Sequence, residues 1–133
     1  MCPFECEALQ QLRLYRAQKA ERAVQAARRA QRAVESEVEQ ARIAVEQARQ
    51  HEEQSRTALL DEHQGQVLSP RALMRWNEAE RTLTAATARE AEQLQGLIEQ
   101  RREQGAQLER ARERAAECLR QVEKIRVLAE KSL

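Results

Sequence analysis

The stretch LMRWNEAERTLTAATAREAEQLQGLIEQRREQGAQLERARERAAECLRQVEKIRVLA, Leu73 to Ala129, decides the fold. One stripe through it begins Leu73, Trp76, Glu80, Leu83 and ends Val122, Ile125, Ala129, in unbroken alternation of three- and four-residue steps. A mean step of 3.5 residues keeps a single face turned to a neighbouring helix, so the spacing predicts a long helix with a helical partner.

The upstream half carries a similar stripe, read through Leu9, Leu12, Arg16, Ala20, Ala23, Ala27, Ala30, Val34, Val38, Ala41, Val45, Ala48, Glu52, Ser55 and Leu59. Ala30, Val34 and Val38 are separated by two steps of four, a stutter expected to unwind the supercoil locally. Gln64 to Ser69 is the one break: Gly65 suits a helix end, and Ser69-Pro70 reads as a cap followed by the residue best suited to a first helical position. The expected fold is all-α, two long helices forming an antiparallel coiled-coil hairpin over residues 1–133. Helix one spans about 4–63, the turn about 64–69 and helix two about 70–131. Such helices imply a rod roughly 90 Å long. Folding about residue 66 pairs Leu59 with Leu73, Val38 with Leu94, Ala23 with Leu108 and Leu9 with Ile125. Gly96 and Gly105 lie off the stripe and are expected to soften helix two without ending it.

Charged residues make up 34% and aromatics 2% of the 133 residues, the composition of a long helix or coiled coil rather than of a thick core. A net charge of +1 argues against a dedicated nucleic-acid binder. No apolar run approaches the roughly 20 residues that span a bilayer, so no direct membrane insertion is expected. Met1 to Glu7 lacks the features of a signal peptide, and a cytoplasmic location is expected. Cys2, Cys6 and Cys118 have no metal spacing, and the fold about residue 66 leaves Cys6 and Cys118 roughly nine residues, about 13 Å, apart along the axis. Reduced structural thiols are expected.

Chemistry-bearing motifs are lacking. His51 with Glu52 and Glu53 has no second histidine at the spacing of a zinc helix, and His63 is equally solitary, so both are expected to be solvated. No phosphate loop or nucleophile elbow occurs. Neither catalysis nor a metal or other cofactor is expected.

Charge is unevenly spread. Arg13 to Arg32 holds seven basic residues and one acidic, Glu35 to Glu62 eight acidic and three basic, and Arg101 to Lys131 nine basic and six acidic. These are either solvated faces or two electrostatically different ends with different partners. Apolar residues also exceed what the stripes need. Phe4, Leu14, Tyr15, Leu119, Val127, Leu128 and Leu133 lie near the termini, and Leu68, Met74 and Trp76 near the turn. Trp76 either packs under the loop against Leu59 or anchors a partner.

The stretch Leu12 to Ala23 (LRLYRAQKAERA), the near-central break and Leu73-x-x-Trp76 just after it resemble the YscO/FliJ family of type III secretion and flagellar export, over almost the whole chain. The resemblance implies a central-stalk protein that inserts its terminal end into a hexameric secretion ATPase. Its turn end would approach the cytoplasmic domain of the export gate, with export chaperones as further candidate partners, in the cytoplasm beside the inner-membrane apparatus. Candidate ATPase-end residues are Leu9, Leu12, Arg13, Arg16, Arg22, Val122, Ile125 and Leu128; candidate gate-end residues are Leu73, Trp76 and Leu83. Two other readings stay open from the residues alone, a self-associating coiled-coil adaptor and an RNA-binding helical hairpin.

Overall fold

The computed structural model describes residues 3–131, so Cys2 and Leu133 lie outside the described residues. The chain is an all-α helical hairpin in which two long helices, α1 (Pro3–His63) and α2 (Pro70–Lys131), pack against each other. The turn is built by the residues whose chemistry suits it. Gly65 takes φ +76°, the left-handed conformation that ends α1, and the Gln66 N–H donates to the His63 carbonyl at 3.2 Å. At the start of α2 the Ser69 hydroxyl accepts from the Ala72 N–H at 3.1 Å, satisfying one of the donors that a helix start leaves unpaired. Pro70 follows as the first helical residue, where its missing N–H costs nothing.

The stripe of α2 faces α1 as its spacing predicts. From Trp76 to Ala129 every position is buried or half-buried, with Leu108, Ala111, Ala115 and Ile125 deepest. Leu73 is the exception and stands half exposed.

On α1 the expected stripe is corrected. Leu12, Arg16 and Ala23 are exposed, whereas Cys6, Ala17 and Val24 are buried and Gln10, Arg13 and Gln31 half-buried. The inward positions therefore run Cys6, Gln10, Arg13, Ala17, Ala20, Val24, Ala27, Gln31, Val34, Val38 and on to Leu59, in alternating steps of four and three. In this phase the stutter disappears. An apolar-first reading skips Gln10, Arg13 and Gln31, whose long side chains can bury their aliphatic stems although their ends are polar.

Register differs as well. A fold about residue 66 would place Thr84 opposite Ala48, but the Thr87 hydroxyl donates to the Ala48 carbonyl at 3.4 Å. Gly105 lies opposite Gln31, whose Nε2 is 3.7 Å from where a Cβ on that glycine would stand. Relative to the expected pairing, α2 is displaced by about three residues, close to one helical turn. Among the described residues Cys6 is a buried free cysteine and Cys118 a half-buried one.

The chain divides into two compact units. Unit 1 combines the residues up to Val34 with those from Arg101 on, and unit 2 is Glu35–Gln100. In unit 1 the core is Val24 with Leu108, Ala111 and Ala115, against which Ala20 and Ala27 pack. In unit 2 the deepest side chains are Val38, at 2% exposure, and Val45. Layers of alanine and valine let the helix axes approach closely but remove little apolar area per layer.

Candidate partner-binding surfaces

Unit 1 holds sixteen basic and nine acidic residues, a net of +7; unit 2 holds seven basic and thirteen acidic, a net of −6. The division by contacts thus falls where the charge changes sign.

Unit 1 carries its charge differently on its two helices. On α1, Arg16, Lys19, Arg22, Arg28, Arg29 and Arg32 are all exposed, and among the described residues none of them makes an ion pair. On α2, Arg112 lies 3.9 Å from Glu109, Arg120 2.7 Å from Glu117, and Arg126 3.7 Å from Glu123 and 3.8 Å from Glu130. These i,i+3 and i,i+4 pairs compensate part of the charge of α2 locally. Arg102, Arg110, Arg114, Lys124 and Lys131 are exposed and make no ion pair among the described residues, so both helices of unit 1 contribute positive surface. Glu117 is at the centre of a small network. Gln121 Nε2 donates to it at 2.8 Å, and Arg120 donates through Nε and Nη2 at 2.9 and 2.7 Å. The hydrogen bond from Gln121, then that from Arg120, then the arginine's charge hold its carboxyl below the ordinary glutamate range.

Exposed apolar groups accompany the charge. Phe4 is 79% exposed, and Leu14, Tyr15, Leu119, Val127 and Leu128 are also exposed. Val127 and Leu128 form a shallow apolar groove with Arg120, Glu123 and Lys124. Of the expected ATPase-end residues, Leu12, Arg16, Arg22 and Leu128 are on the surface, while Leu9 and Val122 are half-buried. Arg13 is half-buried and turned to Gln121, donating to its backbone carbonyl at 3.2 Å and to its side-chain oxygen. Ile125, only 3% exposed, belongs to the packing between the helices and offers no surface.

In unit 2 the expected gate-end residues separate. Leu73 is exposed, and Leu83 half-buried. Trp76 is half-buried with its ring 5.1 Å from that of His63, tilted by 43°. His63 is accordingly not a solvated histidine: it is half-buried, and its Nδ1 is buried without a hydrogen-bond partner. The tilted Trp76 ring lies against the imidazole as one of its apolar neighbours. His51 is exposed. Ile43, Leu60, Val67 and Met74 are exposed in this unit, and the first three lie off both stripes.

Among the described residues no group of three or more His, Cys, Asp or Glu is placed to hold a metal ion, and no helix is long and apolar enough to cross a membrane. No protein-family model, curated protein or solved structure matches the chain.

Proposed function

We propose that the chain is the central-stalk and coupling protein of a bacterial type III secretion ATPase complex. Unit 1 would seat in the hexameric ATPase, and unit 2 would turn to the cytoplasmic domain of the export gate. The observation that carries this reading is the pairing, on one helical hairpin, of a +7 unit bearing exposed Phe4, Leu14, Tyr15 and Leu119 with a −6 unit bearing other exposed apolar groups. Surfaces of opposite charge select different partners and speed their encounter. The resemblance of Leu12 to Ala23 and of Leu73-x-x-Trp76 to the YscO/FliJ family supplies the identity of those partners. In this reading the ATPase subunits carry the nucleotide chemistry, and the chain contributes contacts alone. Leu12, Arg16, Arg22 and Leu128 are the expected ATPase-end residues that lie on the surface. Its place would be cytoplasmic, beside the inner-membrane apparatus, with export chaperones as further partners.

The test is retention of the purified chain on the secretion ATPase hexamer. Leu14→Glu with Leu119→Glu should weaken retention about tenfold or more, as loss of apolar anchors does. Met74→Glu, in unit 2, should leave it unchanged. Equal retention of all three proteins would overturn the proposal.

A further inference from the structure

The outward face of α1 carries a second pattern, distinct from the inward one. In unit 1 the residues Tyr15, Gln18, Arg22, Gln25, Arg29 and Arg32 follow one another by three, four, three, four and three; all are exposed except Gln25, which is half-buried and donates to Glu21 at 3.2 Å. In unit 2 the residues Leu60, Thr57, Glu53, Gln50, Glu46 and Ile43, read backwards along the chain, step by the same three, four, three, four and three. Tyr15 is 56%, Leu60 60% and Ile43 50% exposed. Among the described residues neither the arginines of the first stripe nor the glutamates of the second make an ion pair.

The two stripes are complementary position by position when laid antiparallel. Tyr15 meets Leu60, Gln18 meets Thr57, Arg22 meets Glu53, Gln25 meets Gln50, Arg29 meets Glu46, and the aliphatic stem of Arg32 meets Ile43. Apolar faces apolar, amide faces amide or hydroxyl, and both glutamates face arginine. A parallel alignment of two copies would instead set Arg22 on Arg22 and Glu53 on Glu53, which like-charge repulsion disfavours. The geometry points to a second copy of this chain as the occupant of this face: the unit 1 stripe of one copy docks antiparallel on the unit 2 stripe of the other. A two-fold axis makes the same contact twice, so association closes at a dimer. Most of the recognition is between exposed charges, so it weakens as salt shortens the range of their attraction.

The inference concerns the chain by itself and does not depend on the secretion reading, so its test uses the purified full-length chain alone. Sedimentation should give a dimer of the 15.4 kDa chain at about 50 mM salt and weaken about tenfold or more by about 500 mM. Arg22→Glu with Arg29→Glu, and separately Glu46→Arg with Glu53→Arg, should each remain monomeric with wild-type helical circular dichroism, since the altered side chains are exposed. Mixed one to one, the two variants should associate again, because every reversed charge then meets its opposite. A monomer at low salt, growth beyond a dimer, association of either variant alone, or failure of the mixture to associate would each overturn the inference.

Discussion

Arg13 of α1 donates to both the backbone carbonyl and the side-chain oxygen of Gln121 on α2, so a guanidinium occupies an inward position of unit 1 with its hydrogen bonds satisfied across the interface. Arg13→Ala should cost about 1–2 kcal/mol, since a half-buried amide loses a charged partner. Arg13→Leu combined with Gln121→Leu should recover that loss or exceed it, because apolar groups filling both sides need no partner. Thermal unfolding of the single and double alanine variants should give a coupling of about 1 kcal/mol; strictly additive effects would show that the bond contributes nothing.

The phase of α1 can be checked with two adjacent residues. Val24 is buried against Leu108 and Ala111, whereas Ala23 is exposed. Val24→Asp would bury an unpaired carboxylate and should destabilise by about 3 kcal/mol or more. Ala23→Asp should stay under about 1 kcal/mol, mostly helix propensity. Urea unfolding of the pair decides the matter, and the reverse order would restore the stuttered stripe.

Two glycines should respond in opposite directions to alanine. A Cβ on Gly96 would meet nothing within 4 Å in a helical backbone, so Gly96→Ala should stabilise by up to about 1 kcal/mol. Gly65 holds φ +76°, which an L side chain rarely adopts, so Gly65→Ala should destabilise by about 1 kcal/mol although space is open around it. A rise in melting temperature for the Gly65 variant would contradict the turn geometry.

Glu117 should titrate below the ordinary glutamate range. Its folded value is lowered, so the stabilisation it brings is present above the unfolded glutamate value and is lost as pH falls through the folded one. Carboxyl-resolved NMR should show the Glu117 midpoint moving up in Gln121→Ala and, by less, in Arg120→Lys, which keeps the charge but loses the fork of donors. An unmoved midpoint in Gln121→Ala would remove the amide as the leading cause.

The pattern from Trp76 to Ala129 was legible because Leu83, Leu94, Leu97, Leu108, Val122 and Ile125 share one phase of α2, with only Ile98, Leu119, Val127 and Leu128 off it among its large aliphatic residues. On α1 apolarity carries little phase, since alanine lies on every side: Ala17 is buried while Ala23, Ala26 and Ala33 are exposed. The inward face there includes Gln10, Arg13 and Gln31, which a reading for apolar residues rejects. Gly65 and Ser69 could be read directly, because each answers a local backbone need. The contact of His63 with Trp76 could not, because it depends on the path of the turn between them. The surplus apolar residues near the termini were legible as a count, and Phe4, Leu14, Tyr15, Leu119, Val127 and Leu128 are indeed exposed. Ile125 could not be told from a surface residue by spacing alone, and at 3% exposure it belongs to the interior.

Unit 2 is one continuous span of chain, whereas unit 1 draws on both ends of it. During synthesis all of unit 2 is made before the second half of unit 1 begins. At roughly 5–20 residues per second, the last thirty or so residues add a delay of a few seconds. Through that interval Val24 has no Leu108 or Ala111 to cover it, and the basic first part of α1 stands without its helical neighbour. The nascent chain therefore closes from the turn outward, and the basic unit is the last to take its finished form.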